Sequence, residues 1–595
     1  MRRGFTGKTL VWLLLLLLAV GMMAAGCASS DDAGDVSSSD TPTIGGRFVC
    51  ATSGDPSNFS PILYSDTTSG LISDLVYEPL LSYNDKMALV NKLAESYEVS
   101  DDGLEWTFHL RQDVRFHDGE ELTSEDVKFT YEAFLHPLYQ GSRASNFVDL
   151  RGAQEYRDRL AELKGEYLNE DGEFASDAAK ESYQAEALVE FENWRQTSKA
   201  IEATDDYTVV FRLEQQYVSF LNNMTYGIIP AHQFNGNLAD AGSMNHPYGT
   251  ENPIGAGRFK FVKWETGDYI EVERNPDYWT EGDEPYIGSF VVKILDDMNA
   301  ITLALEAGEI DYGIIEPSEF ERFSNLEHVK VYEFEDMGYT FMAYNQNNPL
   351  FQDKLVRQAI THAIDRQGIV DQILHGHGSV AHTHGAKIRW DYNPDVPIFE
   401  HDPAKAAGLL AEAGWADSDN DGWLDKDGQT FEFVLSTNQG NNQRIDSTVI
   451  IQQQLKEVGI KVEPRSVEWS TFVSDLLSQN YEASILGWAL SPDPDSTSIW
   501  HTEGGPLNFT GFANERVDEL LEQGRITADQ ENRAQIYQEM QKILAEEQPY
   551  TFLFFKNRLI GISKRIHGPV APCAVDNYYQ IEKWFIPEDM RKTGD

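Results

Sequence analysis

Three groups of side chains in this 595-residue chain have the types and spacing to do chemistry. Asp417-Ser418-Asp419-Asn420-Asp421-Gly422 places carboxylates at positions 1, 3 and 5 and a turn glycine at 6, the pattern with which a loop wraps a calcium ion. Position 12 is Gly428 where a bidentate Glu is expected. Asp417, Asp419, Asp421 and Asp425 would therefore hold a structural calcium only with help from another carboxylate, and an acidic hairpin turn accounts for the same residues. His375, His377, His382 and His384 crowd into H-G-H-G-S-V-A-H-T-H, where imidazoles would bind a transition metal or titrate near neutrality. No cysteine or suitably spaced carboxylate completes such a site, and a glycine-rich solvent loop is the simpler reading. Gly255-Ala256-Gly257 lacks the third glycine and following helix of a nucleotide loop, since Phe259 to Val262 reads as a strand. G-x-S-x-G, H-E-x-x-H and a signature pair of acids are absent from the sequence, so a secreted hydrolase is the weaker alternative and no enzyme is expected.

The ends of the chain say where these groups would work. Arg2, Arg3 and Lys8 precede an apolar run from Leu10 to Val20, and Ala24-Ala25-Gly26-Cys27 follows: a charged region, a hydrophobic region and a cleavage zone. Residues 28–42 are nearly all Ser, Asp, Gly and Ala, a composition that stays a flexible tether. Asp and Glu outnumber Lys and Arg by 97 to 47, for a net charge of -50, which repels phosphate backbones and excludes nucleic-acid binding. With 41% hydrophobic and 12% aromatic residues, the remainder is a folded protein. Cys50 and Cys573 are expected as free thiols, or as a disulfide if the two ends share a lobe.

Strand and helix periodicities alternate from Gly45 onward, which predicts a mixed α/β architecture. Trp106, Phe108 and Leu110 alternate as a half-buried strand. Thr123 with Asp126 three residues on starts a helix carrying Val127, Tyr131 and Phe134. Charged helices are expected between about 151 and 203, and further helices around 299–307, 356–364, 404–413, 447–458, 516–524 and 532–546.

Against these elements the chain resembles the family 5 (peptide/nickel-type) solute-binding proteins of ABC transporters. The resemblance is carried by Leu110-Arg111-Gln112-Asp113-Val114-Arg115-Phe116-His117-Asp118-Gly119 followed by Leu122-Thr123-Ser124-Glu125-Asp126-Val127, with Ser124 at a usual Ala, and by Asn275-Pro276-Asp277-Tyr278-Trp279 and Gly487-Trp488. Ala24-Ala25-Gly26-Cys27 is similar to a lipobox, with Ala24 at a usual Leu, making Cys27 the lipidated first residue. The resemblance implies a periplasmic-binding-protein-like two-lobe clamp with an extra subdomain in lobe one. Lobe one would be 43–85, 205–336 and 549–595, the extra subdomain 86–204, and lobe two 337–548, with hinge strands at Tyr339 to Tyr344 and Tyr550 to Phe555. Trp488 would line the cleft. The peptide-amine aspartate of family members falls on Ser491, with Asp493 as its substitute. Arg389 would meet a ligand carboxylate, and Tyr339 and Asn345 join the ligand set. The implied protein is a monomeric, lipid-anchored extracytoplasmic receptor that needs no cofactor and delivers a small solute, foremost a peptide, to an ABC permease. A metal chelate or an oligosaccharide is the alternative cargo.

Overall fold

The computed structural model describes residues 41–169, 172–280, 282–295 and 297–593. The expected signal segment, Cys27 and all of the tether before residue 41 lie outside them. A mixed sheet runs through the whole molecule in the order Lys461–Val467, Glu432–Asn438, Ala483–Trp488, Val329–Tyr344, Tyr550–Ser563, Tyr312–Ile314, Arg47–Thr52, Ser289–Ile294, Tyr269–Arg274 and Phe259–Glu265. Gly378–Val380 adds to Tyr550–Ser563.

Val329–Tyr344 and Tyr550–Ser563 are antiparallel partners long enough to belong to both lobes. Their lower ends pack Tyr332, Phe334, Ile560 and Ile562 into the core around Phe48, Phe59 and Phe290. Their upper ends are buried on both faces: Tyr339, Phe341, Phe552 and Phe555 meet Trp500 and Tyr537 on one side, and Met342, Tyr344, Leu553 and Phe554 meet Phe351 and Ile360 on the other. Burial on both faces is why these segments read as continuous aromatic and aliphatic runs. Between the two ends the register breaks, Glu335 pairing Asn557 and Tyr339 pairing Phe555, so that residues 336–338 bulge opposite Lys556. The change of core therefore falls at 336–338 and about Lys556. The division expected at 549 is too early, because Tyr550 to Phe555 pack within lobe two.

The 86–204 unit carries its own sheet, in the order Ala94–Val99, Glu105–Leu110, Thr208–Arg212 and Ile201–Asp205. A boundary at 204 thus cuts the hairpin that closes this sheet. Its core is continuous with that of lobe one, since Phe108, Tyr131, Phe134 and Phe211 belong to the same cluster as Phe48 and Phe290. Helix Ser124–Leu135 starts as its sequence implies, Asp126 accepting the Thr123 N–H at 2.9 Å. Asp126 also takes the Ala231 N–H at 2.9 Å, and Asp118 takes His232 at 2.7 Å and Gln233 at 2.8 Å. The signature segment 110–127 thus clamps the added unit onto lobe one. A Cβ on Gly255 or Gly257 would lie 2.1 or 2.5 Å from backbone carbonyl oxygens of Val76 and Leu75. These glycines allow a close approach to the end of helix Thr67–Val76. Cys50 and Cys573 are both free, and burial pushes the Cys50 thiol up to about 12.

Candidate functional site

Where the long strands cross between lobes, a cavity of about 300 Å³ opens at the bulge, lined by Gly338, Tyr339, Arg444, Trp488, Lys556 and Arg558 among others. Tyr339 and Trp488 are direct cross-strand partners, which brings two of the expected residues together. Trp488 stacks on Phe341 at 6.2 Å and 19°, and its Nε1 donates to the Tyr550 hydroxyl at 3.4 Å. The buried Tyr339 hydroxyl has no hydrogen-bond partner among the described residues.

Arg444 was not anticipated. It lies in the first turn of helix Asn442–Glu457 and donates to Asn438 at 2.8 Å, with no ion pair found among the described residues. Burial lowers its pKa, and a cation near a helix N-terminus is also disfavoured by the macrodipole. A guanidinium so placed lacks only a carboxylate. Its sequence signal is faint: an arginine three residues past an Asn N-cap looks like a surface residue until the helix start is known. Lys556 is exposed in the same cavity, and Arg558 pairs with Asp336 at 2.7 Å, so positive charge is in excess here.

A second cavity, of about 620 Å³, lies between the lobes, with Tyr83, Tyr217, Asn222 and Tyr226 facing Ser491, Asp493 and Asp495. Ser491 is exposed and gives its hydroxyl to the Asp493 carbonyl at 2.8 Å. Asp493 is fully engaged. Arg533 donates to both of its oxygens at 2.6 and 2.9 Å and the Ser219 hydroxyl donates to one at 2.8 Å. Burial works to raise the Asp493 pKa, but the Arg533 charge wins and holds it below the usual carboxylate range. An amine-anchoring role would have to displace this pair, so the structure does not present Asp493 as a free carboxylate. Arg389 is likewise taken: its fork meets the buried Asp391 at 2.8 and 2.7 Å, leaving one N–H directed at the Ser491 carbonyl at 3.4 Å. It holds up the 491–493 segment and does not face a ligand carboxylate. Asn345 bonds the Gln479 and Tyr481 carbonyls, both at 2.9 Å, and is a strand-end tie outside these cavities.

The four histidines do not converge on one point. His375 is exposed on a turn with φ 50°. His377 bonds Glu333 at 3.0 Å. His382 and His384 are inward-facing, with burial lowering them to about 4 and about 3. Among the described residues, one group of three metal-ligating side chains comes close together, Asp417, Asp419 and Asp421, with oxygens within 4.8 Å and all exposed. Asp425 does not join them, because both of its oxygens accept from Ser418. None of these four aspartates lines the cavities described above.

Comparison with known proteins matches residues 88–508 to the model of the bacterial extracellular solute-binding proteins, family 5. The chain is 33% identical over 589 residues to the oligopeptide-binding protein AppA of Bacillus subtilis, covering 97% of this chain and 99% of that protein. It is 26% identical over 588 residues to heme-binding protein A of Haemophilus influenzae, covering 95% and 98%. The solved structure of Bacillus subtilis AppA in complex with a nonapeptide matches with a TM-score of 0.70, covering 92% of this chain and 100% of that one. NikA from Brucella suis in complex with Fe(III)-EDTA matches with a TM-score of 0.72 at 25% identity, covering 91% and 99%. No helix of the described residues is long and apolar enough to cross a membrane. Two lobes joined by crossing strands, an added unit clamped by the 110–127 segment and a cleft at the crossing agree with these matches, and the chain belongs to the bacterial extracellular solute-binding proteins, family 5.

Proposed function

We propose that the chain is a monomeric, lipid-anchored extracytoplasmic receptor that closes its lobes over a peptide and delivers it to an ABC permease. It performs no covalent chemistry, and the reading needs no cofactor. The observation that carries it is Arg444, an arginine without a counter-ion among the described residues, beside the Trp488 ring in the cavity where the lobes meet. A chain terminus or acidic side chain supplies the missing carboxylate, and the indole offers a flat apolar face to the neighbouring residue. The peptide named in the AppA structure supports this cargo. The same excess of positive charge fits a polycarboxylate chelate, and the Fe(III)-EDTA in the NikA structure supports that second reading. Closure follows because a ligand touching both lobes binds the closed state preferentially.

Calorimetric titration with a pool of short peptides decides between the cargoes. Trp488→Ala and Arg444→Ala are each expected to weaken peptide binding roughly ten-fold or more, a loss of about 1.4 kcal/mol. C-terminal amidation should cost the wild type a similar factor and Arg444→Ala nothing further. Binding of Fe(III)-EDTA without peptide binding would hand the site to the chelate reading. Anchoring rests on Ala24-Ala25-Gly26-Cys27 and the tether after it; Cys27→Ser is expected to move the protein from the membrane fraction to the soluble one, and retention on the membrane would refute the anchor.

A further inference from the structure

A third cavity, of about 420 Å³, lies between lobe one and the start of the added unit and shares the walls Tyr83, Thr225 and Tyr226 with the interlobe cavity, so the two adjoin. Its lining carries four carboxylates, Asp74, Glu78, Asp576 and Glu582, against two cations, Lys92 and Arg258. Arg258 lies 3.4 Å from Glu582, yet among the described residues neither the Arg258 Nε nor the buried Glu582 Oε2 completes a hydrogen bond. Glu78 accepts the Tyr278 hydroxyl at 2.7 Å. Asp576 accepts the Tyr578 N–H at 2.7 Å and has no ion pair among the described residues. Asp74 has neither a hydrogen bond nor an ion pair among them.

Asp74 sits in the last turn of helix Thr67–Val76, where the macrodipole adds further negative potential. Its carboxylate is reached by solvent through the cavity, while the surrounding protein and the Asp576 charge push it up to about 7. The rings of Tyr64, Tyr83, Tyr226 and Tyr579 complete the walls. Arg143 lies over the Tyr64 and Tyr226 rings at 4.3 and 5.4 Å, outside the lining. Even with Arg143 counted, negative charge is in excess. Repelling carboxylates inside aromatic walls are costly to maintain unless a cation relieves them, and tyrosine faces attract cations in addition.

We infer that this cavity receives an ammonium or guanidinium group of the captured solute, so that the receptor selects peptides bearing lysine or arginine. The peptide source of that group rests on the proposed function; the cation itself rests on the cavity. A neutral side chain of equal length would leave Asp74 and Asp576 facing each other without relief, and selectivity arises from that difference.

The test uses the mature protein and a pair of N-acetylated pentapeptides, Ala-Ala-Lys-Ala-Ala and its norleucine counterpart, so that no α-amine competes, with spermidine as a free-cation probe. The lysine peptide is expected to bind at least ten-fold more tightly than the norleucine one. The ratio should collapse to within about three-fold in Asp74→Asn and in Asp576→Asn. Asp74 is exposed, so its variant keeps the test valid if Asp576→Asn fails to fold. Equal binding of the two peptides, or a preference that survives in Asp74→Asn, overturns the cavity while leaving peptide capture standing. Spermidine binding that is lost in Asp74→Asn, with no peptide bound, upholds the cavity and removes the peptide reading. Binding of none of the probes overturns both.

Discussion

His384 shows what a single residue in this protein can cost. Both of its ring nitrogens are buried without a hydrogen bond among the described residues, and its ring meets Trp500 edge-on at 5.8 Å. Burial and the Arg389 charge lower its pKa from 6.5 to about 3. Because the folded value lies below the unfolded one, the unfolded chain binds the extra proton between those limits, and stability is lost as pH falls through that window. His384→Phe removes an unpaired polar group and keeps a ring of similar shape, so it should stabilise the protein by about 1 kcal/mol at neutral pH and by more at about pH 5. Thermal midpoints at the two pH values check this; a midpoint gap between them that stays as wide as in the wild type would refute it. The residue scale is also where sequence reading reached least far. Four clustered histidines look like a site, but a sequence does not tell that the 381–386 segment turns inward while His375 stays on a turn. Asp493 and Arg389 were legible as charges near the cleft. Their partners, Arg533 and Asp391, decide that both are structural, and Arg533 is forty positions away.

At the scale of elements the reading is closer to the molecule, because elements follow from periodicity that the sequence carries locally. Helix Ser124–Leu135 starts at the expected capping residue. Helix Met298–Glu306 ends before Gly308, whose φ of 70° suits the cap expected there. The two aromatic runs at 339–344 and 550–555 were legible as buried strands, since burial on both faces removes the polar alternation. The break at 336–338 was not, because a bulge is defined by what lies opposite it, and Lys556 is over two hundred residues away in the chain. The same limit explains the boundary at 204: the strands Ile201–Asp205 and Thr208–Arg212 are a local hairpin, but their sheet is completed by Glu105–Leu110. A signature such as 110–127 is informative for a physical reason. It holds a strand end, a turn, a cap and the Asp118 and Asp126 contacts that fix one unit to another.

At the scale of the whole molecule, ionic contacts tie lobe two to lobe one and to the added unit. Arg525 of lobe two lies 3.4 Å from Asp149 of the added unit and 3.5 Å from Asp495 of its own lobe, with its guanidinium over the Tyr217 ring at 4.5 Å. Beside it, Arg533 and Asp493 both bond the lobe-one Ser219 hydroxyl at 2.8 Å. Asp149 and Asp495 are mostly buried, so screening is weaker than for an exposed pair and a contribution of about 1–3 kcal/mol to closure is expected. In the proposed closure such contacts between the lobes offset part of the cost of closing, and their removal would lower apparent affinity by the same free energy without touching the ligand. Arg525→Ala should therefore weaken peptide binding by roughly 5- to 100-fold, mainly through faster release. Spin labels on the two lobes, or solution scattering, should show the free protein shifting toward a wider separation, and raising the salt concentration should move the wild type in the same direction. Arg533→Ala is the less clean variant, because it strands the Asp493 charge within the protein. Unchanged affinity together with an unchanged interlobe distance in Arg525→Ala would show that closure is driven by the ligand contacts and the crossing strands alone.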